Sequence, residues 1–139
     1  MTTIARALCA ASLLLAAGAA GAEEASQKPA LAAADAWLKL VDAGDYGPSW
    51  DDAATFFKDA VPRAQWEQSL KAVRAPLGKV LSRKVVSKTY AESLPGAPDG
   101  KYVVVQYRTS FDKKEAAVET VTPMLDADGR WRVSGYYIK

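Results

Sequence analysis

The sequence predicts an α+β domain: three helices packed on one face of a four-stranded antiparallel meander sheet. Two observations carry this. Apolar residues recur at helical spacing as far as Val73, and after Gly78 the chain turns to β-branched runs separated by turn residues. A third sets the scale. No repeat and no second composition regime appears, and the length suits one domain.

The N-terminus reads as a secretory signal peptide over residues 1–22. Arg6 supplies a positive n-region, Ala7 to Ala17 form a short apolar run, and Ala20-Gly21-Ala22 offer small residues before Glu23. Cys9 follows only Ala7 and Leu8, so it lacks the apolar stretch that precedes a lipid-bearing cysteine. Cleavage after about Ala22 leaves 117 residues with no Cys and no His. The expected location is therefore exported and periplasmic, with no stable membrane anchor after cleavage.

Glu23 to Lys28 read as a polar linker, and residues 29–139 as the domain. Pro29 opens the first helix, on which Leu31, Ala34, Leu38 and Val41 form a stripe beside Trp37 before Gly44 stops it. Ser49 is expected to cap a second helix, with Trp50, Ala53, Ala54 and Phe57 as its apolar side. The third starts near Pro62 and buries Trp66, Leu70 and Val73 before Ala75 to Gly78 end it.

The first strand is the run VLSRKVVSKTY, and Ala91 to Gly100 form a long, mobile Pro/Gly-rich loop. KYVVVQYRTSF follows, and DKKEA turns it into AVETVTPML. Asp128-Gly129 then turns that into RWRVSGYYI. With a two-residue turn at Asp128-Gly129, Ala127 faces Arg130, Leu125 faces Arg132 and Glu119 faces Ile138. Placing Arg108 opposite Glu119 as an ion pair then sorts the strands into two faces.

The face toward the helices would carry Val103, Val105, Tyr107, Thr109, Phe111, Val118, Thr120, Thr122, Met124, Trp131, Val133 and Tyr137. The outer face would carry Val104, Gln106, Arg108, Ser110, Glu119, Val121, Arg132, Ser134 and Tyr136.

What is missing restricts the chemistry. Without His or a mature Cys there is no Ser-His-Asp triad, no Cys-His nucleophile and no Cys/His zinc site. No Gly-rich phosphate loop is present, and Asp126 to Gly129 read as a turn, not a calcium loop. No metal, cofactor or catalytic residue is assigned.

The mature balance of 17 basic to 16 acidic residues gives no support for nucleic-acid binding. The charge is uneven, however. Residues 23–62 hold eight acids and three bases, and residues 63–101 the reverse. Arg74, Lys79, Arg83, Lys84 and Lys88 could form a basic patch for an anionic surface, or simply one solvated face.

The ligand-binding candidates are Tyr107, Thr109, Thr120, Thr122 and Tyr137, whose hydroxyls point toward the helices from an apolar face and need partners. The interface candidates are Gln106, Arg108, Glu119, Arg132 and Tyr136. Their mix of apolar groups and paired charges is compatible with a homodimer contact.

Three blocks, VRAPLGKVLSR, GKYVVVQYRTSFDKKEAAVETV and DGRWRVSGYYIK, together resemble a family of small exported bacterial proteins of unknown function, DUF4019. The resemblance spans about residues 29–139. Pro123 departs from it and must mark an edge or a bulge, because proline cannot donate to a ladder.

More loosely, the order of elements and the closing WRVSG strand are similar to the cone-shaped nuclear transport factor 2-like and cystatin-like superfold. That superfold includes steroid isomerases and dehydratases as well as binding domains, so the resemblance implies a cavity and no reaction. The leading expectation is a non-enzymatic domain binding a small apolar ligand or an envelope protein. The alternatives are a lyase or isomerase using a buried carboxylate and a Tyr, and a purely structural or stress-related envelope protein.

Overall fold

A computed structural model describes residues 14–139, with side chains from Gly21 onward. The signal-peptide features at Arg6 and Cys9 lie outside the described residues. The architecture is α+β. Helices α1 (Leu14–Asp42), α2 (Tyr46–Asp51), α3 (Thr55–Ala60) and α4 (Arg63–Arg74) and a 3-10 turn (Ala75–Leu77) precede the strands. Strands β1 (Val80–Ala91), β2 (Tyr102–Phe111), β3 (Lys114–Leu125) and β4 (Trp131–Ile138) form one open antiparallel sheet in chain order.

Two helix expectations change. Helix α1 does not open at Pro29 but holds it inside, because the Ala-rich chain before it favours helix and proline removes only one hydrogen bond. The expected second helix is split in two, so the described residues form four α-helices where three were expected. Ala54 N–H donates to Val133 O of β4 at 2.8 Å, which holds Ala54 extended (ψ 148°) and ends α2 from continuing. Ser49 is accordingly not an N-cap. It is buried within α2, its hydroxyl donating to Tyr46 O at 2.6 Å.

Ala30, Ala34, Trp37, Leu38 and Val41 recur along one face of α1 and lie against Val103, Val105, Tyr107, Val121 and Val133 of the sheet, with Leu70 from α4. Burying Leu38 and Val41 alone contributes about 1.5–3 kcal/mol each.

The register departs from expectation at two turns and at one bulge in β4. Phe111 pairs with Lys114, so Asp112-Lys113 is a two-residue turn and β3 starts earlier than the DKKEA reading placed it. Glu119 therefore pairs with Tyr107 and Arg108 with Val118; the expected Arg108–Glu119 pair does not form.

At the second hairpin the loop has three residues. Asp126 N–H donates to Arg130 O, Gly129 N–H to Asp126 O, and Gly129 takes φ 81°. This is a type I turn followed by a left-handed glycine, and it sets Leu125 opposite Trp131, not Arg132, and puts Ala127 in the loop.

A bulge between Val121 and Pro123 then places Ser134 and Gly135 of β4 across from Thr122, which restores Glu119 opposite Ile138 as expected. Pro123 sits beside that bulge, where the ladder is already interrupted.

The shorter first turn inverts the face of β3, and the bulge exchanges Tyr136 and Tyr137 at the end of β4, while Val133 stays in the core as expected. Ala117, Glu119, Val121 and Tyr136 turn toward the helices. Val118, Thr120, Thr122 and the half-exposed Tyr137 turn away. Met124 joins a small second cluster with Tyr102, Ala54, Phe56, Leu94 and Ala97. The loop after β1, expected to be mobile, is tied over that cluster by Gly100 N–H to Glu92 O and by the Tyr102 hydroxyl to Pro98 O.

Candidate functional site

The end of β4 is where geometry and chemistry converge. Glu119, fully buried at the centre of β3, is the anchor. Its Oε1 accepts from Arg83 Nε at 2.7 Å and from the Thr109 hydroxyl. Its Oε2 accepts from Arg83 Nη2 at 3.2 Å and from the Tyr136 hydroxyl. Four donors on two oxygens fill the acceptor directions of a carboxylate.

Arg83 spans outward to Asp42 through Nη1 and Nη2 at 2.7 and 2.9 Å, and Arg74 Nη2 reaches Asp42 at 2.9 Å. Two guanidiniums thus balance two carboxylates. Arg74 lies over the Phe111 ring at 5.0 Å, its Nε and Nη1 buried without a hydrogen-bond partner among the described residues.

The same surroundings move the titrations. Burial opposes ionisation of Asp42, but Arg83 and then Arg74 outweigh it and hold the carboxyl below its usual range. Burial, reinforced by the Glu119 charge, pushes the Tyr136 hydroxyl well above the ordinary tyrosine range. Burial and the hydrogen bond to Asp35 Oδ1 (2.8 Å) do the same to Tyr107.

The Tyr136 ring, fixed by that bond, stands edge-on to Trp37 at 5.1 Å. Trp37 Nε1 donates to Ser49 O at 2.9 Å and Trp66 Nε1 to Ser49 Oγ at 3.0 Å, so one buried serine holds both indoles. Trp66, Ser69, Leu70 and Val73 of α4 then face Tyr136, Tyr137 and Ile138 across an apolar groove of about 200 Å³. A second cleft of about 260 Å³ on the other side of β4 is bordered by Leu94, Ala97, Thr122, Tyr136 and Tyr137.

The groove runs along a free sheet edge. Val118 and Lys139 exchange both backbone hydrogen bonds at 2.9 Å. In an antiparallel ladder such pairs alternate, so Tyr137 also bonds to β3 while the N–H and C=O groups of Tyr136 and Ile138 point away from it.

The five ligand candidates do not share a wall. Tyr107 and Thr109 are in the core with their hydroxyls engaged, whereas Thr120, Thr122 and Tyr137 are on the opposite face. Of the interface candidates, Gln106, Arg108 and Arg132 stay outside, while Glu119 and Tyr136 turn inward. The basic patch divides likewise: Arg74 and Arg83 are spent on the network, and Lys79, Lys84 and Lys88 remain at the surface. Sequence reading missed Glu119 as a core residue and Ser49 as the clamp on two tryptophans. A strand acid in phase with Ala117 and Val121, once Asp112-Lys113 is taken as the turn, was the available signal for the first.

A family model described as a protein of unknown function, DUF4019, matches residues 33–136. The chain belongs to that family. The matched span takes in the network and groove of this DUF4019 domain, from Asp35 on α1 to Tyr136 on β4. No curated protein and no solved structure matches the chain.

Proposed function

We propose that this DUF4019 domain is an exported, non-catalytic binding module that holds an extended apolar segment of an envelope protein along the end of β4. The observation that carries the reading is the pairing of a free backbone edge at Tyr136 and Ile138 with an apolar groove beside it. Strand addition draws affinity from such an edge and specificity from the pockets next to it.

Size separates a peptide from a small molecule. The groove, at about 200 Å³, is below the roughly 300–1,000 Å³ of ligand pockets but suits one or two side chains. The space between α1 and the sheet is filled by Trp37, Tyr107 and Val105. An acid–base reaction is disfavoured because Glu119 has no oxygen lone pair left for a substrate proton.

Among the described side chains of α1, which start at Gly21, the first buried ones are Ser26 and Ala30, past the expected cleavage site near Ala22. No described helix is long and apolar enough to cross a membrane.

A photo-crosslinking residue at Val73, introduced in the native cell, tests the reading. Peptide mapping should place the adduct on an extended apolar segment of one envelope protein, and Tyr137→Glu should abolish it. Adducts that persist unchanged in Tyr137→Glu would sink the proposal. A retained small molecule in the native mass spectrum would move the occupant to an apolar ligand.

A further inference from the structure

The outer face of the sheet carries a feature that neither the fold nor the groove explains. Lys84 of β1 pairs directly with Arg108 of β2, Arg108 with Val118 of β3, and Val118 exchanges backbone bonds with Lys139. Residues directly opposite one another share a face, so Lys84, Arg108 and Lys139 form one row across the whole sheet. All three are exposed, and none forms a salt bridge among the described residues.

Like charges directly opposite destabilise a sheet. Here the chain sets Lys84 against Arg108 and turns Glu119, the acid that could have neutralised them, into the core. The acids of residues 23–62 meanwhile lie on or between the helices, where Asp42 is held by Arg74 and Arg83 and Asp51 by Arg63. An exposed row of one charge sign orients a protein on a charged plane.

We propose that this row is a contact for the phosphate headgroups of an anionic lipid bilayer. Three unpaired cations, Lys84 and Arg108 one strand spacing (about 4.8 Å) apart and Lys139 two spacings beyond Arg108, match a planar array of charges better than they match a single small anion. Hydroxyls and an amide flank the row, with Ser82 opposite Ser110 and Ser87 opposite Gln106, and Tyr137 stands half exposed beside it at the level where tyrosines meet headgroups. The contact is electrostatic and reversible, and its three cations lie outside the lining of the β4 groove, which shares only Tyr137 with it.

The test is vesicle co-sedimentation of the full chain against Lys84→Gln/Arg108→Gln, which carries the same N-terminus, on phosphatidylglycerol-containing and on neutral vesicles. Each charge near an anionic surface is worth about 5-fold, so the double variant should lose about 30-fold in partitioning onto anionic vesicles at low salt and nothing on neutral ones. Its thermal midpoint should hold or rise, since a repulsion is removed. Equal partitioning of the two proteins onto anionic vesicles would overturn the proposal. So would charge-dependent retention on immobilised polyglutamate with no preference for anionic vesicles, which would assign the row to an acidic protein.

Discussion

Truncating Glu119 to alanine is the severest test of the network. The substitution leaves the Thr109 and Tyr136 hydroxyls without an acceptor in the core and removes one of the two carboxylates that hold Arg83. An orphaned buried hydroxyl costs about 1–3 kcal/mol, and breaking one partner out of a buried ion pair about 3–5 kcal/mol in total. Because Arg83 keeps Asp42, the lower part of that range, about 3–4 kcal/mol, is expected. For a domain of this size that is a fall of about 12–16 °C in Tm.

Urea and thermal unfolding measure it. The companion variant Glu119→Leu/Arg83→Met should lose less than the sum of its single changes, with a coupling of about 2 kcal/mol, since removing both charges leaves neither member of the pair as a lone buried charge, and only the Thr109 and Tyr136 hydroxyls lose their acceptor. Arg108→Ala, on the far face, should change stability by less than about 0.5 kcal/mol. A Glu119→Ala loss below about 1 kcal/mol, or an Arg108→Ala loss as large as that of Glu119→Ala, would refute the register that puts Glu119 inside.

Asp42 titrates below its unfolded value of 3.8, so its contribution is complete above that pH and is lost as pH falls toward the folded value. Asp42→Asn should therefore flatten the stability–pH curve below pH 3.8 in an acid titration followed by fluorescence. Tyr107 and Tyr136 are raised, so their contribution is complete below the ordinary 10.0 and lost above it. Tyrosinate absorbance should show these two ionising only as the domain unfolds at alkaline pH, and Tyr136→Phe should shift that unfolding. Gly129→Val forces a branched side chain into φ 81° and should cost about 1–2 kcal/mol in chemical denaturation. Ser49→Ala releases Trp66 Nε1 and should cost about 1–2 kcal/mol, with a change in tryptophan emission.

The helix stripes and the strand order were legible because they are periodic and local. Trp37, Leu38 and Val41 announce a buried helix face, and Asp128-Gly129 announces a hairpin. The facing of β3 and β4 was not, because it depends on loop lengths that differ by one residue. Asp112-Lys113 closes a shorter turn than DKKEA suggests, and the left-handed Gly129 closes a longer one than Asp128-Gly129 suggests. The Ser134-Gly135 bulge adds a third slip, and it is the one that exchanges Tyr136 and Tyr137. Pro123 had marked that spot as unable to continue a regular ladder. The split between α2 and α3 was invisible for another reason. It rests on long-range hydrogen bonds, Ala54 N–H to Val133 O and Thr55 N–H to Asp126 Oδ2, which local propensity cannot register.

The free edge of β4 is open to one direct measurement, residue-resolved amide hydrogen exchange on the unliganded protein. The Tyr136 and Ile138 amides should exchange fast while Tyr137, between them and bonded to β3, is protected. Slow exchange at both Tyr136 and Ile138 would mean the edge is already satisfied within the domain, and the proposal that β4 receives a partner strand would fail.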